Sequence, residues 1–440
     1  MFSFKHGVHP PDNKDITSGI SSRRLPFPEE LILPLSQHIG TPAQALVQAG
    51  DRVERGDVIA EAAGFISSRV HATASGTVKS IEFWPHPGGG TLPSIRITVD
   101  PHSTQLQRPR VVPRWEDVRE EDLSKEIGKA GIVGLGGAAF PSHVKLNPPK
   151  DQPVDVLLVN GCECEPYLTS DHRTMLELPE KVHLGIRIGM RALGINRAVI
   201  GIEANKPDAI EIMRETAPDD LDVTVQPLQV KYPQGAEKML IKAVLGREVP
   251  SGALPSAIGA LVQNVATTAN IAAVFETGQP LIERIITVTG RGIRKPGNWV
   301  IPFGTKLRDV IDVCGGLTDD AAEIVFGGPM MGLGQANLDV PILKATGGIL
   351  VLSKDETKRQ DILPCIRCGK CLDACPVFLN PQLLGALARV ERYEEMAEEA
   401  NLKDCMLCGC CSFVCPSNIP LSQLFALSKN HLARMAASQA

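Results

Sequence analysis

Cys365-Ile-Arg-Cys-Gly-Lys-Cys-Leu-Asp-Ala-Cys-Pro376 and its echo Cys405-Met-Leu-Cys-Gly-Cys-Cys-Ser-Phe-Val-Cys-Pro416 decide the architecture of the end of the chain. Each is a C-x2-C-x2-C-x3-C-P run. That spacing wraps a cubane iron–sulfur cluster with three thiolates and sends the fourth to the neighbouring cluster. Two runs therefore imply two 4Fe-4S clusters with crossed ligand sets: Cys365, Cys368, Cys371 and Cys415 on the first, Cys405, Cys408, Cys411 and Cys375 on the second. Zinc is the competing reading of C-x2-C pairs, but two triplets each followed by C-x3-C-P do not divide naturally into tetrahedral sites. Disulfides fit less well, because such tight spacing suits metal ligation. Cys410, beside the second run, reads as a non-ligand.

Clusters that carry electrons need a donor and an acceptor, which the preceding residues have to supply. A chain of 440 residues, 43% hydrophobic, suggests about two to four domains. A formal charge of -5 argues against a nucleic-acid partner, which asks for a basic stripe. No window reaches the unbroken apolar length of a membrane span; Ala257 to Phe275 comes nearest and is interrupted by Gln263, Asn264 and Asn270. The first residues lack a charged segment followed by an apolar one, so no signal peptide is expected. Free thiols and clusters then point to a reducing cytoplasm.

Taken in order, residues 1–28 are rich in proline and polar residues and read as an irregular arm. Residues 29–112 alternate short apolar strands with turns. Gly50 to Ala60 and Ala72 to Val78 resemble the two halves of a biotinyl/lipoyl-type barrel-sandwich hybrid, but the hairpin Phe65-Ile-Ser-Ser-Arg69 carries no lysine to modify, so docking or structure is the expected role. A charged helix is expected over Trp115 to Ala130. Gly131-Ile-Val-Gly-Leu-Gly-Gly-Ala-Ala-Phe-Pro141 follows, small enough for backbone N–H groups to close on a phosphate or a flavin edge. It is not a clean G-x-G-x-x-G. Val154 to Val159, Ala198 to Ile202 and Leu221 to Val230 read as strands, and Pro179 to Leu193 and Lys206 to Thr216 as helices, an alternation that builds a doubly wound parallel sheet. Its ligands would sit beyond the strand ends, where Asn160-Gly-Cys-Glu-Cys-Glu-Pro-Tyr167 follows the first strand.

The glycine loop, Asn160 to Arg173, Tyr232-Pro-Gln-Gly-Ala-Glu237 and Gln263-Asn-Val-Ala-Thr267 occur in an order that resembles the NADH-binding flavoprotein subunit of respiratory complex I. Together with the barrel, the paired cysteine runs and the opening Phe4-Lys-His-Gly-Val-His-Pro-Pro11, the chain resembles the C subunits of Rnf (Rsx) electron transport complexes over nearly its whole length. The resemblance implies a multidomain α/β fold: arm 1–28, barrel-sandwich hybrid 29–112, Rossmann-like FMN/NADH domain 113–280, SLBB-type beta-grasp domain 281–355, and a helical two-cluster ferredoxin-type domain 356–440. It also implies FMN held by Gly134, Gly136, Gly137 and Lys145, the phosphate being met near Asn264 and Thr267, with Asn160 on the flavin. Phe140, Glu163, Glu165, Tyr232 and Glu237 would line the nicotinamide side. No side chain need act as acid or base, since the hydride passes to the flavin. One departure stands out: Cys162 and Cys164 occupy places where the complex I subunit has an acidic and a small residue.

The implied function is a peripheral NADH-oxidising module at the cytoplasmic face of the plasma membrane. It would pass electrons from NADH through FMN and two 4Fe-4S clusters to other subunits of an Rnf-type complex, and so exchange them reversibly with ferredoxin. The alternatives are a soluble diaphorase or hydrogenase flavoprotein, and a flavin-free cluster adaptor. Between the cysteine runs a single helix is expected over Pro381 to Ala400, its stripe formed by Leu383, Leu384, Leu387 and Val390. A last helix is expected from Leu421 to Ala437.

Overall fold

The leading arm is laid along later parts of the chain in the computed structural model, which describes residues 1–107, 112–358 and 360–439. Phe2 bridges to Leu228, Val8 to Tyr232, and a short 3-10 turn spans Lys14–Ile16. The arm ends in β1 (Arg23–Arg24), which pairs in parallel with a strand far along the sequence. Two residues carry no readable period, so this edge strand was invisible to pattern.

The barrel-sandwich segment contributes β2 (Glu30–Pro34), β3 (Gln44–Ala45), β4 (Arg52–Val53), β5 (Val58–Glu61), β6 (Val70–His71), β7 (Gly76–Pro85) and β8 (Thr91–Val99). They form a sheet of order β2-β8-β7-β4 facing another of order β3-β5-β6. Leu31, Leu33, Ile59, Val78, Ile95 and Ile97 are buried between them, the inward half of a period-two pattern. The hairpin joining β5 to β6 puts Phe65 68% exposed at its tip.

Next come α1 (Glu120–Lys129), shorter than the expected 115–130, and α2 (Ser142–Lys145). Then follow β9 (Val156–Gly161), α3 (Ser170–Glu177), α4 (Pro179–Leu193), β10 (Ala198–Glu203), α5 (Pro207–Glu215), β11 (Val223–Leu228), α6 (Glu237–Leu245), β12 (Ala260–Asn264) and α7 (Val265–Thr277). The strands pair in parallel in the order β11-β10-β9-β12. β9 and β10 are buried almost throughout, as strands covered by helices on both faces must be. α4 starts on a proline at its first position and stops at Gly194 in the left-handed region, the usual punctuation of a helix. It crosses α7 so closely that a Cβ on Gly185 would stand 1.9 Å from the Thr268 carbonyl oxygen.

A second mixed sheet follows, built from β13 (Glu283–Thr289), β14 (Gly297–Pro302), β15 (Ala321–Phe326), β16 (Leu333–Gly334) and β17 (Gly348–Ser353), with α8 (Leu307–Val313) between β14 and β15. Its order is β1-β14-β13-β17-β15-β16. Lys344, in the segment leading into β17, is buried and donates from Nζ to the carbonyls of Arg69 and Gly131, both at 2.8 Å. It thereby pins the barrel and the start of the glycine loop to this sheet. Burial pulls its pKa from 10.5 down to about 7, and a neutral amine still has the N–H groups these two bonds need. Because the folded value lies below the unfolded one, the unfolded chain binds more protons between about pH 7 and 10, and stability rises with pH across that window. Anaerobic urea denaturation should show a gain of about 2 kcal/mol from pH 7 to pH 9, absent in Lys344→Met. Parallel pH curves for the two chains would refute the assignment.

The last segment holds α9 (Lys370–Ala374), α10 (Pro381–Arg389), α11 (Tyr393–Glu398), α12 (Cys410–Phe413) and α13 (Leu421–Gln439). The single helix expected over 381–400 is instead two. α10 ends at Val390, and Glu391 takes a left-handed φ of 57° before α11 begins. The reason is the core: Leu384 and Ala388 are buried with Met396, Ala400 and Phe425. An uninterrupted helix advancing about 100° per residue would swing Met396 off that face. The turn returns it, leaving Leu383 and Val390 of the expected stripe exposed.

Candidate functional site

The parallel sheet begins at β9, grows through β10 and β11 on one side, and takes β12 on the other, so strand order reverses between β9 and β12. Open sheets of this kind bind ligands beyond the carboxyl ends of the strands at such a switch. Here those ends are Asn160 and Asn264, neighbours in register. The glycine loop closes over them. Gly134 N–H donates to Phe140 O at 2.8 Å, and Leu135 N–H to Thr267 Oγ1 at 2.8 Å. Gly136 and Gly137 are left exposed. Gly137 has a φ of 120°, and a Cβ there would point into open space. Gly136 lies against Asn264, whose side chain caps α7 by accepting from Ala266 and Thr267 N–H and donates to Asp171 Oδ2 at 2.7 Å.

Two charged residues missed by sequence reasoning complete this crevice. Asp171 Oδ1 and Arg284 Nε find no partner among the described residues, although Arg284, 5% exposed, donates to Leu135 O and Lys344 O. Burial, with Glu163 nearby, raises the Asp171 pKa against the pull of Arg284. An arginine opening the apolar strand Arg284 to Thr289 was the available signal for a buried charge. An unpaired acceptor beside exposed glycine N–H groups, with space that only glycine leaves open, fits a polyhydroxylated phosphate ligand such as FMN.

Of the other expected residues, Lys145 and Glu237 form an ion pair at 2.6 Å. The Asn160 side chain serves the fold, donating to Gly235 O and accepting from Cys162 N–H. Glu163 sits at the start of α3, accepting from Ser170 Oγ, Asp171 N–H and His172 N–H. Phe140 is half-buried. Glu165 accepts from Met330 and Met331 N–H, and burial pushes its pKa up to about 7. Tyr232, 2% exposed, donates its phenol to Cys408 O at 2.8 Å. Glu163, Glu165 and Tyr232 are thus engaged in internal contacts, two of them at a seam with later segments. Cys162 is buried with its thiol on Gly201 O, and Cys164 Sγ accepts from Gly235 N–H. Burial raises both thiols far from the thiolate range.

The two cysteine runs repeat one backbone. Left-handed residues fall at Arg367 and Gly369 in the first and at Leu407 and Gly409 in the second, each followed by a short helix, α9 or α12. Phe378 and Asn418, also left-handed, close the two repeats. The thiols that act electrostatically on Cys371 are Cys368, Cys415 and Cys365; those that act on Cys411 are Cys408, Cys405 and Cys375. Cys375, Cys405, Cys408 and Cys411 also line one cavity, and such neighbourhoods fit two 4Fe-4S cages. Among the described residues no three Cys, His, Asp or Glu side chains converge as ligands of one ion, whereas a cubane places each thiolate on a different iron. Cys365 and Cys368 are exposed, and Cys375, Cys408 and Cys411 are buried.

Residues 127–273 match the family model described as the Nuo51 FMN-binding domain, 2–102 the RnfC barrel sandwich hybrid domain, 285–334 the SLBB domain and 361–419 the 4Fe-4S dicluster domain. The C subunit of the proton-translocating ferredoxin:NAD(+) oxidoreductase complex of Clostridium ljungdahlii is 46% identical over 91% of this chain and 88% of its own. The C subunit of the Na(+)-translocating complex of Acetobacterium woodii is 44% identical, covering 86% of each. The C subunit of the ion-translocating oxidoreductase complex of Rhodobacter capsulatus is 41% identical over 98% and 83%. In fold the chain is also like a chain of the NAD+-reducing NiFe-hydrogenase solved in the H2-reduced state, with a TM-score of 0.52, 20% identity and coverage of 71% and 62%. Site and matched families define a polypeptide that joins an FMN-binding domain of the Nuo51 kind to a 4Fe-4S dicluster. Within that class, the chain belongs to the family of C subunits of ion-translocating ferredoxin:NAD(+) oxidoreductase complexes.

Proposed function

We propose that this chain is the NADH-oxidising electron-input subunit of such a complex, taking electrons from NADH at FMN and delivering them through two 4Fe-4S clusters to neighbouring subunits. The observation that carries the reading is one continuous path of contacts. The glycine-loop crevice lies at the strand switch, and the segment leaving it reaches the second cysteine run through Tyr232. FMN, when bound, accepts a hydride and releases electrons singly, which is what NADH and clusters respectively require.

The chain's own residues bind, orient and shield. Gly136 and Gly137 offer backbone N–H groups and close approach, Gly134 closes the loop on Phe140 O, and Asn264 and Thr267 fix the loop on α7. Arg284 donates to Leu135 O and would supply positive charge beside the loop. Asn160 keeps the Tyr232 to Glu237 turn against the end of β9 through Gly235. Lys145 and Glu237 neutralise each other at the rim. Phe140 is assigned to the nicotinamide side, and Glu163 and Glu165 reach it through the loop they stiffen. No described helix is long and apolar enough to cross a membrane; in this reading the chain is a peripheral subunit that works at the cytoplasmic face, where NADH is available. Ferredoxin would exchange electrons through a partner subunit, in either direction.

An anaerobic NADH titration of the purified chain, followed by EPR and visible absorption, tests this. Bleaching of a releasable flavin followed by reduction of two cluster signals is expected. A cluster-replete chain with no releasable FMN and no bleaching would leave a cluster adaptor instead.

A further inference from the structure

We infer that Tyr232 and Cys410 are positioning residues for the second cage, hydrogen-bonding around Cys408 so as to make the cluster held by Cys405, Cys408, Cys411 and Cys375 easier to reduce. This rests on the cluster reading above and goes beyond it, because neither residue is a ligand. Tyr232 is fixed on three sides. Its phenol donates to Cys408 O at 2.8 Å, the approach to Glu165 being longer at 3.5 Å. Its main chain exchanges both hydrogen bonds with Val8, at 2.9 and 2.8 Å. The arm that carries Val8 continues to the other half of the same cage: Gly7 N–H donates to Ala374 O, immediately before Cys375, at 3.1 Å, and His6 Nδ1 lies 2.6 Å from Asp373 O one residue earlier. Gly7 has no room for a side chain, since a Cβ would stand 2.5 Å from Tyr232 O. Arm and tyrosine therefore grip Cys375 and Cys408 together.

Cys410 is fully buried in the same cluster of residues as Val8, Tyr232, Ala374 and Cys408. Its thiol donates toward Tyr232 O, sulfur to oxygen 4.0 Å, beside the shorter bond that the same carbonyl accepts from Val8 N–H. The first run offers no counterpart, because the residue between Gly369 and Cys371 is the exposed Lys370.

Reduction adds one electron, and so one negative charge, to the cage; no bond is made or broken, and NADH is the source through the proposed reaction. The phenol that neutralises the Cys408 carbonyl, and the buried thiol beside Cys408 that donates toward Tyr232 O, stabilise that added charge and raise the potential. The full chain is titrated with redox mediators anaerobically and read by EPR, the two signals being assigned through Cys368→Ala and Cys408→Ala. In Tyr232→Phe and in Cys410→Ala the second-cage midpoint should fall, the reduced-to-oxidised ratio at fixed poise dropping about tenfold, or about 59 mV for one electron. The first-cage midpoint stays in place. Cys410→Ser, which keeps a donor, should shift less than Cys410→Ala. Unmoved second-cage midpoints in both variants would overturn the inference, as would loss of half the iron in Cys410→Ala, which would make Cys410 a ligand. A wild-type chain lacking both signals would overturn the cluster reading itself.

Discussion

Cys375→Ala and Cys408→Ala should abolish the same EPR signal, although Cys375 belongs to the first run and Cys408 to the second. Cys415→Ala should abolish the other, together with Cys368→Ala. Each variant is expected to lose half of the iron and labile sulfide and to stop NADH-driven reduction of any acceptor that draws on the clusters, with FMN content retained. The physical reason is the crossing. Cys375 follows α9 and lines one cavity with Cys405, Cys408 and Cys411 of the second repeat. Leu379 N–H donates to its sulfur at 3.3 Å, one of the backbone donors that make a thiolate comfortable in a buried cage. A cubane missing one of four thiolates loses both a ligand and the neutralisation of its irons. If Cys375→Ala instead pairs with Cys368→Ala, the two cages are uncrossed and each run keeps its own four cysteines. Electron transfer then separates flavin from clusters cleanly, because a chain with FMN and one surviving cage should still bleach with NADH.

Which parts of this molecule were legible in advance follows from how local their determinants are. α4 was readable to the residue, because a proline start, a glycine stop and a 3.6 period all lie within it. The strands β9 and β10 were readable as apolar runs, and the dicluster segment as cysteine spacing. The break between α10 and α11 was not, because its cause is Met396 packing on α13 rather than anything in the intervening residues. Edge pairing of β1 was hidden for the same reason, its partner β14 lying far along the chain. At the site, the glycine loop could be read from composition and Asn264 was implied by the resemblance, and the structure brings the two together at the strand switch. The separate duties of Glu163, Glu165 and Tyr232 could not. A carboxylate in a loop reads alike whether it faces a ligand, as first expected, or accepts from Met330 and Met331 N–H across a seam. Asp171 and Arg284 escaped because their value comes from sharing one crevice, not from sequence proximity.

Gly137→Val should yield a chain that keeps its iron but copurifies with at least tenfold less FMN. At a φ of 120° the residue occupies a region that L side chains rarely adopt, and a β-branched substituent suffers most there. Holding the native loop would cost about 1 to 3 kcal/mol of strain. Relaxing it would move the N–H groups that the loop presents. Either way the side chain enters space that the loop leaves open, since nothing in the described chain stands within 4 Å of a Cβ at this position. A tenfold loss of flavin corresponds to about 1.4 kcal/mol, so the strain alone reaches it. Gly136→Ala is the milder companion, because its Cβ meets Asn264 at 3.5 Å, an ordinary contact; a smaller loss is expected. The measurement is FMN released by acid per iron retained, taken with the melting temperature so that global unfolding is seen as such. Cages and crevice lie in separate parts of the fold, so iron content should stay level while flavin falls. A Gly137→Val chain with the wild-type ratio of FMN to iron would remove the glycine loop from the flavin site and send the search to the rim around Lys145 and Glu237.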